Sequence, residues 1–161
     1  MIVDTQSVKN TATSTQEVGF DGGKQTKGRK RLFVIDTLGN LLASLVVAAN
    51  RHDGEIATTY WAELVRQYPL LAEIKKVYVD GTFNGRFREH LAKRYQIPVE
   101  VPRQVVRQQG KFCIHATRWK VERTIAWTSN NRRLSKEYER KTVHSNAFMM
   151  IANIRRAVKY A

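Results

Sequence analysis

Residues 31–50 read RLFVIDTLGNLLASLVVAAN, two β-rich runs on either side of Leu38-Gly39-Asn40. Valine, isoleucine and phenylalanine favour strands, and Gly39 and Asn40 tolerate the positive φ of a tight turn, so the segment predicts a hairpin. Upstream, residues 1–9 open on an apolar pair and alternate weakly, which predicts a short first strand. Downstream the period changes: Ile56, Tyr60, Leu64 and Val65 recur at helical spacing over 54–67, and Pro69 limits that helix. KKVYVDGTF (75–83) is a short β-rich run that stops at Gly81. Residues 84–95 then supply Phe87, Leu91 and Tyr95 as a helix face, and IPVEV (97–101) reads as the next strand. The order predicts an α/β fold, a mixed five-stranded sheet with an opening hairpin and helices on both faces.

The segments between these elements carry the charge. Residues 10–30 are polar, glycine-bearing and increasingly basic, which predicts a flexible loop. Residues 102–116 are basic and irregular. A helix is expected from about 117 to 128, and a last helix carrying Val143, Ala147, Met150, Ile151 and Ile154 on one stripe. The 161 residues, 42% of them apolar, suffice for one core and one domain. Lysine and arginine number 28 against 14 acids, a net charge of +14 that points to a polyanionic partner. Nucleic acid is the first candidate, because no run of about 18 apolar residues and no apolar signal core is present. The expected compartment is the cytoplasm. A single cysteine, Cys113, excludes an internal disulfide, and four scattered histidines give no zinc motif.

Three acids sit at the margins of core elements. Asp4 ends the first apolar run, Asp80 ends KKVYVD, and Glu122 lies on the shoulder of a helix whose buried stripe is Val121 and Ile125, one turn above Arg118. If the first strand and the 76–80 strand run parallel as neighbours, Asp4 and Asp80 emerge at one carboxyl edge. Converging carboxylates repel one another, and a hard divalent cation relieves them. A pair of such ions suits phosphodiester chemistry. On spacing alone, however, an aspartate after a strand fits a turn or a helix cap better than a ligand.

Seven segments follow one another in order: IVDTQSVK, GFDGGKQTKGRKR, VIDTLGNLLA, AANRHD, VYVDGTF, RWKVERTIAW and NRRLSKEYER. Together they resemble the DDE transposases of bacterial insertion sequences, specifically the insertion-sequence-five-like group, over nearly the whole chain. The resemblance implies a ribonuclease-H-like core, two Mg²⁺ or Mn²⁺ ions, and metal-dependent strand cleavage and strand transfer of an insertion sequence. It maps the three acids onto Asp4 in VDTQS, Asp80 in VDG and Glu122 in VER, as catalytic residues and metal ligands. It also implies DNA ends and target DNA as partners, a homo-oligomer assembled on DNA near the bacterial nucleoid, and no membrane. An N-terminal DNA-binding region, sometimes supplied by an upstream reading frame, is expected outside this chain, which would leave 1–161 a single DDE catalytic domain.

Related transposases place Tyr, Arg, Glu and Lys in a fixed signature around the third acid. Arg118 and Glu122 fit it, whereas His115 stands at the tyrosine position and Ser129 at the lysine position. The basic cluster Lys24, Lys27, Arg29, Lys30 and Arg31 contains no acid and is read as a phosphate track, with Arg118, Arg132 and Arg133 as further DNA contacts. Lys136, Arg140 and Lys141, mixed with Glu137 and Glu139, fit an ordinary charged surface as well as a DNA track. Asp53 is expected to cap a helix, Asp36 and Asp21 to serve turns, and Trp119 and Trp127 to pack rather than stack bases. Two rival functions share these features. One is a ribonuclease-H-like nuclease or inactive transposase remnant, separable by strand joining; the other is a non-catalytic basic nucleic-acid-binding module, separable by metal-dependent nicking.

Overall fold

A computed structural model describes residues 1–83, 85–102 and 116–160. Strands are β1 (Ile2–Lys9), β2 (Gly19–Asp21), β3 (Thr26–Ile35), β4 (Leu41–Ala48), β5 (Val77–Tyr78) and β6 (Val99–Glu100); helices are α1 (Asp53–Gln67), α2 (Arg86–Tyr95), α3 (Ala116–Ser129) and α4 (Thr142–Tyr160). β3 lies between β1 and β4, antiparallel to both, and β1 continues into β5 and β6 through parallel pairing. The expected hairpin is β3–β4. Its turn is closed by Asp36, whose Oδ1 accepts the N–H groups of Leu38 and Asn40 at 2.8 Å each. Gly39 takes φ +93°, while Asn40 serves by its side chain, donating to Asp36 Oδ2 at 2.8 Å.

Period-two alternation divides the sheet between two cores. Val3, Leu32, Val34 and Val77 pack with Ile56, Trp61 and Leu64 of α1 and Phe87 and Leu91 of α2. Ile2, Phe33 and Ile35 face the other way, against Val121 of α3 and Met149 of α4. Helices therefore cover both faces, a mixed α/β arrangement of the ribonuclease-H-like kind. Among the described residues the sheet has six strands rather than five, the extra one being the three-residue β2.

Two expectations change. The loop expected over 10–30 contains β2 and the first half of β3, so Arg29 and Lys30, like Arg31 beside them, lie in a central strand and are buried. The stripe expected on the last helix is largely turned outward: Val143, Ile151 and Ile154 are exposed, and Ser145 and Met149 are the fully buried positions. Polar contacts set this rotation. Ser44 of β4 donates to Asn146 Oδ1 at 2.7 Å, and the Asn153 amide bonds both the N–H and the carbonyl of Leu41. The basic stretch read as irregular falls, over 103–115, outside the described residues, and His115 with it.

Candidate active site

Asp4 lies inside β1, not at its end, and alternation puts it with Ile2 and Gln6 on the face toward α3. β1 and β5 pair in parallel through Ile2 and Tyr78. Asp4 and Asp80 each follow their member of that pair by two residues, on neighbouring segments of chain. Their proximity is felt electrostatically. Burial pushes the Asp4 carboxyl up to about 6, the charges of Asp80 and Asp53 push the same way, and the Thr5 N–H and the Lys24 ammonium pull against them. The Thr5 N–H donates to Asp4 Oδ1 at 2.7 Å.

Asp80 is exposed and opens a single turn of 3₁₀ helix, Gly81–Phe83. Its Oδ1 accepts the Thr82 N–H at 2.9 Å and the Thr82 hydroxyl as well. Phe83 anchors the turn, being fully buried with its ring centroid 6.0 Å from that of Phe87. Glu122 is exposed on α3, where the Arg118 Nε donates to it at 2.8 Å. Seven residues further, on the same side of the helix and about 10 Å along its axis, Ser129 meets the amide of Gln6 at 3.1 Å. The side of α3 that carries Glu122 thus faces the strand face that carries Asp4. Among the described residues no three acidic, histidine or cysteine side chains are arranged to hold a metal ion. Asp4 and Asp80 are brought together, and Glu122 remains on its helix, paired with Arg118.

The basic residues separate into two groups. Lys24 and Lys27 are exposed, Lys24 beside Asp4. Arg118, Arg132 and Arg133 are exposed too; Arg132, Arg133 and Tyr138 line a groove of about 450 Å³, and Arg133 pairs with Glu139 at 2.7 Å. Arg29, Lys30 and Arg31 are not on the surface, which corrects their reading as phosphate contacts. Alternation sends Arg29 and Arg31 to one side of β3, where both guanidinium groups meet the buried Glu137 carboxylate at 3.3 and 2.6 Å. Their remaining N–H groups donate to the carbonyls of Gln16, Leu134, Lys136, Glu139 and Arg140. Lys30 points to the other side, 2.7 Å from Asp53 and 3.2 Å from Asp21.

Asp53 is therefore not a helix cap: it is the first residue of α1, the capping position is His52, and its carboxylate is engaged by Lys30. Asp21 does serve a turn, accepting the N–H groups of Gly23 and Lys24. Burial raises its carboxyl, but the Ser7 hydroxyl, the Lys24 N–H and Lys30 outweigh burial and hold it at about 2. Trp119 and Trp127 are half-exposed, with the Arg123 guanidinium 4.5 and 4.6 Å from their ring centroids and Arg156 4.7 Å from that of Trp127. These rings pack against cations of their own chain.

A mixed sheet of this order covered by helices on both faces agrees with the family comparison, in which residues 1–155 match the model described as the transposase DDE domain. The chain belongs to the DDE transposase family. No curated relative matches it. Transposase domains act on DNA, in keeping with the net charge of +14. None of the described helices of this DDE domain is long and apolar enough to cross a membrane. The family uses divalent metals, and the donor set at Asp4 and Asp80 suits them: oxygen ligands only, with a half-buried carboxylate whose charged form is disfavoured until a cation arrives.

Proposed function

We propose that this transposase domain cuts and joins DNA in a divalent-metal-dependent reaction, with Asp4, Asp80 and Glu122 as ligands, as part of an insertion sequence of the insertion-sequence-five-like group. The observation that supports the reading is the parallel pairing of β1 with β5 at Ile2 and Tyr78, each two residues before one of the two aspartates. Two bound Mg²⁺ or Mn²⁺ ions would supply activation of the attacking oxygen and stabilisation of the leaving one. Asp4 presents its carboxylate from a central strand with one oxygen fixed by Thr5, and Asp80 does so from an anchored turn. Glu122 joins them by leaving Arg118, an exposed pair whose rupture costs under about 1 kcal/mol. The freed Arg118 then meets a DNA phosphate, as do Lys24, Lys27, Arg132 and Arg133. Assembly of several copies on paired DNA ends belongs to the same reading.

The test is incubation of the protein with duplex DNA carrying the element's ends, with and without Mg²⁺ or Mn²⁺, and with Asp80→Asn as control. Metal-dependent nicking followed by joining to a target is the expected result. Nicking without joining would assign a nuclease instead, and binding without nicking a nucleic-acid-binding module.

A further inference from the structure

The turn that carries Asp80 is held from three directions. Below it, Phe83 is sunk in the core. Behind it, the first turn of α1 comes so close that a Cβ on Gly54 would stand 3.2 Å from the Thr82 carbonyl oxygen, a tight contact. On the third side, Asp53 Oδ2 lies 3.4 Å from the Thr82 hydroxyl and competes with Asp80 Oδ1 for its single proton, the Asp80 bond being the shorter. Asp53 is fixed in turn by Lys30, whose ammonium touches Asp53 Oδ1 at 2.7 Å and donates to the Arg51 carbonyl at 2.9 Å. The Lys30 side chain is only 7% exposed, so its position is set by the strand that bears it.

Within this frame the Thr82 hydroxyl and N–H both donate to the same oxygen of Asp80, Oδ1. Two donors on one oxygen restrict the rotation of the Asp80 carboxylate. We infer that Thr82 is a positioning residue for this reaction, holding the Asp80 carboxylate through the N–H and hydroxyl bonds to Oδ1 in an orientation suited to sharing a cation with Asp4. The inference rests on Asp80 being a metal ligand. Hydrogen bonds to ligating side chains raise metal affinity by about 10- to 100-fold in comparable sites, because the ligand need not be ordered when the ion binds.

The experiment measures Mn²⁺ binding to the full chain from the paramagnetic resonance signal of free Mn²⁺, with the thermal midpoint recorded for each variant. Thr82→Val removes the hydroxyl and keeps the shape, Thr82→Ser restores the hydroxyl, and Thr82→Ala replaces the valine variant if that one fails to fold. Thr82→Val is expected to weaken Mn²⁺ binding about 10-fold or more with its thermal midpoint unchanged, and Thr82→Ser to bind as the parent does. Parent-like binding by Thr82→Val, alongside weak binding by Asp80→Asn, would overturn the inference and leave the proposed ligand set standing. Equal weakening in Thr82→Ser and Thr82→Val would also overturn it, since the methyl group rather than the hydroxyl would then matter. Parent-like binding by Asp80→Asn would overturn the ligand assignment itself and the inference with it.

Discussion

The Arg31 guanidinium lies 2.6 Å from the Glu137 carboxylate, and neither side chain is exposed. With Arg29 on the other carboxylate oxygen and Ser145 donating to it at 2.6 Å, Glu137 ties β3 to the segment that leads into α4. Burial lowers the Arg31 pKa, Glu137 opposes that shift, and Arg29 adds to it. Removing one partner of such a pair leaves buried charge without compensation, at a cost of about 3–5 kcal/mol. Glu137→Ala should therefore lower the urea midpoint by that equivalent, whereas alanine at the exposed Lys136 should change it by under about 0.5 kcal/mol. Equal, small effects would mean that Glu137 does not hold the fold together.

The Asp4 carboxyl yields a prediction of definite sign. Its folded pKa, about 6, exceeds the ordinary 3.8, so the folded chain holds this proton more tightly than the unfolded chain does. Through this group, stability falls as pH rises from about 4 to about 6 and stays reduced above that. Asp4→Asn abolishes the dependence. In metal-free buffer the stability gained by that variant over the parent should be larger at pH 7 than at pH 4 by about 2–3 kcal/mol. Denaturant titrations at the two pH values check it, and a gain independent of pH would contradict it.

DNA affinity should depend steeply on salt, and only the exposed part of the basic cluster should contribute. Lys24→Gln with Lys27→Gln is expected to reduce the slope of log affinity against log salt by about 0.9 for each phosphate no longer neutralised, without unfolding the protein. Arg29→Gln should instead destabilise the fold, because Arg29 spends its donors on Glu137 and three carbonyl groups. An unchanged slope in the double variant would mean that these lysines do not meet phosphate.

The β3–β4 hairpin, α1 and α2 are legible in the sequence because turn chemistry and apolar periodicity are local signals. Asp36 is legible as a turn residue for the same reason. The burial of Arg29, Lys30 and Arg31 is not, since it depends on Glu137, more than 100 residues away, and on Asp53, both of which look like ordinary surface acids in a linear reading. The rotation of α4 escapes the sequence because Asn146 and Asn153, not the apolar stripe, bind it to β4. At the site, the adjacency of Asp4 and Asp80 follows from sequence only by assuming a parallel neighbour. The support of Asp80 by Thr82 carries no linear signal, and the bond between Ser129 and Gln6 occupies a position where the signature of related transposases places a lysine.

In the proposed reaction, three acids distant in sequence act as one metal-binding set. Metal-dependent cleavage of element-end DNA by Asp4→Ala, Asp80→Ala and Glu122→Ala, each checked for a parent-like circular dichroism spectrum, tests it most directly. Each variant is expected to stay folded and to lose cleavage by a factor of at least about 10³, as when a transition-state interaction worth about 4 kcal/mol is removed. Near-parental cleavage by any one of the three folded variants would contradict the claim for that residue.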